Sequence, residues 1–213
     1  IFLSTFNSRE IDLVVKKNDK LFKINNLVIE KNLLINKDEI EKKLENVLKK
    51  NIFFIKREDI EEPLKEIDFF EKIEVKKKYP GTIIIKIYET KPVAILFKNK
   101  VKYIVDSSSN LISFREGEEF DELPGVFGEE AENNFIHFLS QLEKNNFPNK
   151  QIKNFYYFQI GRWDLQLLNN KTIKFPQNNI ENAIIKSVEL LDNKNFKNYN
   201  TIDLRIDGKI IVE

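Results

Sequence analysis

Residues 72–88 constrain this chain more than any other stretch. Ile73 and Val75 alternate with charged residues up to Tyr79, and Pro80-Gly81 then marks a turn. Ile83, Ile84, Ile85 and Ile87 follow, a β-branched run whose stiff side chains favour an extended backbone. Two such runs across a tight turn predict a hairpin. What precedes it has a different period. Phe22, Ile24, Leu27 and Ile29 predict a first strand. Residues 37–49 then place Ile40, Leu44, Val47 and Leu48 on one helical face. Asn36 is suited to cap that helix, with Glu39 three residues on. After the apolar run 51–55, residues 58–67 predict a second helix with Ile60, Leu64 and Ile67 inward, cut short or started by Pro63. The order is β-α-α-β-β over about residues 20–90.

A turn at Lys91-Pro92 opens a second pattern. Short strands are predicted at 93–97, 103–105 and 111–114, then an acidic loop at 115–122 that ends in Leu123-Pro124-Gly125. Residues 132–144 predict a helix facing inward through Phe135, Phe138, Leu139 and Leu142. A meander follows at 155–160, 163–168 and 172–175, with Asn169-Asn170 as a hairpin turn. Ile180, Ile184, Val188 and Leu191 define a last helix. Residues 201–206 and 210–212 close the chain as strands around Asp207-Gly208. No regular βαβ alternation is visible, so the fold class is α+β, with the later part mainly antiparallel β carrying two helices. The expected division is a lead-in at 1–20, a first domain at 21–90 and a second at 91–213. The sequence begins at Ile1 and holds no methionine, which reads as a piece of a longer product.

Chemistry is sparse. There is no cysteine, which excludes disulfides, thiolate nucleophiles and Cys-ligated metals. His137 is the only histidine, too few for a zinc site and unaccompanied by a G-x-S-x-G nucleophile elbow. Gly125 and Gly128 read as turn glycines, since no phosphate-loop pattern surrounds them. Carboxylate pairs such as Glu61-Glu62 are expected by chance in a chain with 34 acidic residues. The expectation is a protein that is not an enzyme and takes no cofactor and no metal. Thirty-five basic residues almost balance the acidic ones, which argues against nucleic acid as a partner, since phosphate neutralisation needs a basic excess. Lys76-Lys77-Lys78 beside Tyr79 is the one basic run. It reads as a solvated strand end, with anionic lipid headgroups as the sharper alternative. Trp163 reads as core because Leu165 and Leu167 alternate with it, and an exposed hot spot shared with Arg162 is the alternative.

Several elements in order resemble one family. Lys78-Tyr79-Pro80, the strand through Ile83 and Ile87, and Glu89-Thr90-Lys91-Pro92-Val93-Ala94 resemble the strand–turn–strand and Glu-x-x-Pro-Val-Ala element of the bacterial cell-division FtsQ/DivIB family. Val105-Asp106 with Asn110 and Leu111, Leu123-Pro124-Gly125, the hairpin Arg162-Trp163-Asp164-Leu165-Gln166-Leu167, and Ile202-Asp203-Leu204-Arg205 are similar to its later elements. The turn after Asp106 lacks the usual glycine, and Ile206 stands where an aromatic is common. The resemblance implies a POTRA domain at 21–90 followed by a β domain at 91–213. It also implies a membrane helix before Ile1 and a place in the periplasm, on the inner membrane at the division septum. It implies a scaffold that binds FtsB/FtsL-like partners, and other division proteins through the POTRA domain. The alternative is another POTRA-bearing module of outer-membrane assembly.

Physics suggests how a partner would bind. A last strand at a sheet edge offers unpaired N–H and C=O groups to which a partner can add a strand. The expected docking set is Thr201, Ile202, Asp203, Leu204, Arg205, Ile206, Ile210, Ile211 and Val212, joined by Arg162. Arg205 either fixes the partner's register or pairs with an acidic neighbour on the sheet.

Overall fold

The computed structural model describes residues 22–114, 120, 122–196 and 198–213. The lead-in 1–20 and most of the acidic loop 115–122 lie outside the described residues. The chain divides between Thr90 and Lys91 into two compact units.

The first unit holds β1 (Asn26–Glu30), α1 (Lys37–Lys43), α2 (Glu58–Leu64), β2 (Phe70–Lys78) and β3 (Thr82–Glu89). Its sheet runs β1-β3-β2. The isoleucine-rich β3 is the central strand, parallel to β1 and antiparallel to β2, with Lys78 opposite Thr82 and Ile73 opposite Ile87. Ile83, Ile85 and Ile87 are buried together with Ile40, Ile60 and Leu64 of the helices, while Ile84 on the opposite face is half-buried. The period-2 alternation therefore survives inside a run that reads as uniformly apolar. Asn36 caps α1 by accepting from the Asp38 N–H at 2.8 Å. Helix α1 stops at Lys43, earlier than expected, and residues 44–49 continue as turns that still bury Leu44 and Val47. Helix α2 accommodates Pro63 and ends one residue later, at Leu64.

Glu89 has a structural task. Its carboxylate accepts from the N–H groups of Leu33, Leu34 and Ile35 at 2.9–3.1 Å, which fixes the turn between β1 and α1. Charge-assisted bonds to backbone donors are stronger than neutral ones. Glu89→Ala is expected to lower the stability of the first unit by about 1–2 kcal/mol, measured as a shift in denaturant midpoint. Glu89→Gln keeps an acceptor and is expected to lose less.

The second unit is built on one mixed sheet, nine-stranded among the described residues, in the order β12-β11-β10-β9-β8-β7-β4-β5-β6. Its strands are β4 (Pro92–Lys98), β5 (Val101–Asp106), β6 (Leu111–Ser113), β7 (Gly125–Phe127), β8 (Ile152–Phe158), β9 (Arg162–Leu167), β10 (Thr172–Lys174), β11 (Thr201–Asp203) and β12 (Ile211–Val212). Helices α3 (Ala131–Lys144) and α4 (Ile180–Asp192) fall where the apolar spacing put them. Each turns out to be a crossover: α3 joins the parallel pair β7 and β8, and α4 the parallel pair β10 and β11. The remaining pairings are antiparallel apart from β4 with β7, so the class is α+β with a mainly antiparallel second sheet. Strand β7 was not anticipated. Gly125 reads as a turn residue but is a buried strand residue, where a Cβ would come within 2.7 Å of Asn154 Oδ1 and 2.8 Å of Phe127.

The core of this unit lies between the sheet and the helices. Trp163 is buried and stacks on Phe138 with ring centroids 5.1 Å apart and planes 7° from parallel. Phe135, Phe155 and Phe175 close around the pair edge-on or tilted. Asp106, fully buried, accepts from the N–H groups of Ser108 and Asn110 and from Asn110 Nδ2 at 2.8–2.9 Å, so the turn is held by side-chain bonds where a glycine is lacking. Among the described residues no helix is long and apolar enough to cross a membrane.

Candidate functional site

The nine-stranded sheet ends in two edge strands, β6 and β12, and the docking residues expected from the sequence lie at the β12 end. The sheet does not end at residues 201–206. Thr201, Ile202 and Asp203 form β11, which pairs with β10 on one side and β12 on the other. Leu204 continues the inner line by donating its N–H to the Lys174 carbonyl at 2.9 Å. The expectation of a free edge along the whole of 201–212 is corrected: the backbone of 201–204 is already used, and the edge is β12.

The hydrogen bonds of β12 say which groups face outward. Thr201 and Glu213 exchange both bonds, Thr201 N–H to the Glu213 carbonyl at 3.0 Å and Glu213 N–H to the Thr201 carbonyl at 3.2 Å. Ile202 and Val212, the next pair, is therefore a non-hydrogen-bonded pair of the antiparallel ladder. Val212 directs its own N–H and C=O away from β11, to the open side. Ile206, Ile210 and Ile211 beside this edge are exposed, with Ile206 at 50%. An apolar edge without a blocking proline is a pairing template.

Arg205 sits at the corner of this edge. Its Nε lies 2.9 Å from both carboxylate oxygens of Asp203, and its N–H reaches Asp203 Oδ1 at 3.0 Å. Of the two roles anticipated for Arg205, pairing with an acidic neighbour is present within the chain. The guanidinium bonds hold the Asp203 carboxyl below its ordinary pKa against the opposing effect of burial. The Arg205 side chain remains 42% exposed, so its outer N–H donors stay open to solvent. A groove of about 510 Å³ adjoins it, between the start of α4 and the β11–β12 connection. Leu204, Arg205, Ile206 and Ile210 line one wall, and Asn179, Asn182 and Lys186 the other. The asparagine wall was missed in the sequence. Residues 176–179 fall between the strand expected at 172–175 and the helix that includes Ile180, and nothing local ties them to residues 204–210.

Arg162 is not brought to this edge. It lies on β9, with β10 and β11 between it and β12, roughly 14 Å away at the usual strand spacing. Its guanidinium packs over the Phe158 ring at 4.1 Å and lies 3.3 Å from Asp164. Arg162 Nε and Asp164 Oδ1 are buried without a well-formed hydrogen bond, and burial pushes the Asp164 carboxyl up despite the neighbouring Arg162. Cross-strand neighbours then alternate in sign from Asp164 to Lys174 to Asp203, which carries a charge ladder towards Arg205. His137 is exposed on α3. Among the described residues no group of three or more His, Asp or Glu side chains is placed to hold a metal.

Comparison with known proteins accounts for both units. The FtsQ-type POTRA domain family matches residues 22–90. The C-terminal family of cell division protein FtsQ/DivIB matches residues 94–205, ending just before the edge strand. Cell division protein FtsQ of Rickettsia felis is 32% identical over 197 residues, covering 90% of this chain and 72% of that protein. Cell division protein FtsQ of Rhizobium meliloti is 24% identical over 150 residues, covering 70% of this chain and 48% of that protein. The major extracytoplasmic domain of the trans isomer of DivIB from Geobacillus stearothermophilus covers 50% of this chain and 99% of its own, at 12% identity and a TM-score of 0.35.

Proposed function

The chain belongs to the FtsQ/DivIB family of cell division proteins, and from that premise we propose that it is a non-catalytic scaffold whose second unit captures a partner by strand addition at β12. The observation that carries this reading is the free edge itself. Val212 turns its N–H and C=O to the open side of a short apolar strand whose Ile211 is exposed. Each backbone bond made there contributes about 0.5–1.5 kcal/mol net, and a covered isoleucine adds apolar burial. Arg205 would then set the register by donating its outer N–H groups to an acidic side chain of the incoming strand. The groove beside it offers room for the segment that leads into that strand.

The partners that suit this edge are FtsB/FtsL-like membrane proteins of division. The first unit is read as the contact for other division proteins. The working place is the periplasmic side of the inner membrane at the division septum. Outer-membrane assembly, the alternative reading, finds no support in residues 94–205, whose resemblance is to the FtsQ/DivIB C-terminal family.

Site-specific photo-cross-linking tests the edge. A photoreactive residue at position 212 or 210 is expected to capture an FtsB/FtsL-like partner. The same group at Val101, exposed on β5 seven strand positions across the sheet, is not. Capture from position 101 with none from 210 or 212 would sink the reading.

A further inference from the structure

We propose that one tip of the first unit is a docking surface for an anionic lipid bilayer. Three segments build this tip. The start of the unit meets the segment after α1 through an isolated bridge between Lys23 and Asn51, and Ile52 donates its N–H to the Phe22 carbonyl at 2.9 Å. Asn25 donates to the carbonyl of Gly81 in the β2–β3 turn at 3.0 Å, and Lys77 Nζ reaches the Ile55 carbonyl at 2.6 Å. The aromatic rings stack outward across the same junction. Phe22 meets Phe53 edge-on at 4.9 Å, and Phe53 stacks on Tyr79 at 4.9 Å. Phe54 beside them is 57% exposed and Tyr79 53%.

Cations predominate at this tip. Residues 22–29, 46–57 and 75–85 contain eight Lys and Arg and no Asp or Glu. Asp59 also stands here, accepting from the Lys56 N–H at 2.8 Å and pairing with Lys50, and Arg57 pairs with Glu61. Lys23, Lys56, Lys76 and Lys78 are exposed and make no ion pair among the described residues. Glu30, Glu66, Glu71 and Glu89 stand on segments at the other end, so exposed cations outnumber carboxylates at the tip although residues 22–90 carry 15 basic and 14 acidic groups. Nucleic acid would be held along a groove or stripe of cations with stacking rings spaced for bases. Here Phe53, Phe54 and Tyr79 are exposed, and the unpaired lysines lie on the same three segments. That is the pattern of an interfacial anchor, in which rings enter the headgroup layer and ammonium groups meet lipid phosphates.

Vesicle co-sedimentation of the 213-residue chain tests the proposal. The chain is expected to sediment with phosphatidylglycerol–phosphatidylcholine vesicles and not with phosphatidylcholine alone, and to be released by salt. Replacing Lys56, Lys76 and Lys78 by glutamine is expected to weaken binding roughly a hundredfold, since each lysine near such a surface is worth about fivefold. Phe54→Ser is expected to weaken it about tenfold while leaving the salt dependence unchanged. The matching triple change at Lys31, Lys37 and Lys65, at the other end of the unit, keeps the net charge of the first variant and serves as its control. Equal loss in that control, equal binding to neutral vesicles, no binding to anionic ones, or tighter binding to a single-stranded oligonucleotide at equal phosphate would each overturn the proposal. The vesicle comparison uses the unaltered chain, so it stands even if a variant misfolds.

Discussion

Val212→Pro is expected to abolish partner capture while leaving the melting temperature of the chain nearly unchanged. The N–H that proline removes points to the open side of β12 and makes no bond to β11, because Ile202 and Val212 form a non-hydrogen-bonded pair next to the bonded pair of Thr201 and Glu213. Edge strands accept proline when the lost donor faces solvent. For an incoming strand the same N–H is a ladder position, and the ring blocks its approach. Leu204→Pro supplies the contrast. Its N–H donates to Lys174 and its side chain is buried, so this change should cost about 3 kcal/mol or more. Partner affinity measured by titration, together with thermal melting, separates the two outcomes. A Val212→Pro chain that melts as before and binds as before would rule out strand addition at β12. Arg205→Glu is a weaker probe, since the introduced carboxylate would face Asp203 and disturb the sheet as well as the partner.

Trp163→Ala is expected to destabilise the second unit by roughly 3–5 kcal/mol. The indole is 3% exposed, stacks on Phe138, and has Phe135, Phe155 and Tyr157 against its other sides. A cavity of that size cannot collapse, because two of its walls are strands fixed in register at Phe155 and Leu165 and a third is helix α3. Calorimetry is expected to show the transition of residues 91–213 moving to lower temperature while that of residues 22–90 stays in place. A single transition that shifts as a whole would mean that the two units unfold together.

Much of the fold is legible in local pattern. Alternation gave Ile73 and Val75 to one side of β2, and helical spacing gave Phe135, Phe138 and Leu142 to one side of α3, because burial on one face imposes the period of the backbone on the side chains. The turn at Pro80-Gly81 is punctuated by residues that cannot continue a strand. Gly125 was misread for the same reason. A glycine is a turn signal by default, and only the approach of Asn154 shows that a strand needed the space.

The site was half legible. Ile210, Ile211 and Val212 could be named as late, apolar and extended, and Arg205 as a cation beside them. Which strand carries the free edge is a different kind of fact. It depends on β11 finding β10 some thirty residues upstream and on the chain then folding back as β12, so that one N–H faces inward and the next outward. Arg162 fails for the mirror reason: it neighbours a tryptophan in sequence, but three strand positions separate it from the edge. By itself the sequence determined the elements, their amphipathic faces and the motifs of the family, since these follow from side-chain period and backbone preference within a few residues. Only the tertiary structure decided the edge, the groove and the basic aromatic tip, because each is assembled from segments whose pairing is set by hydrogen bonds and burial across long stretches of chain.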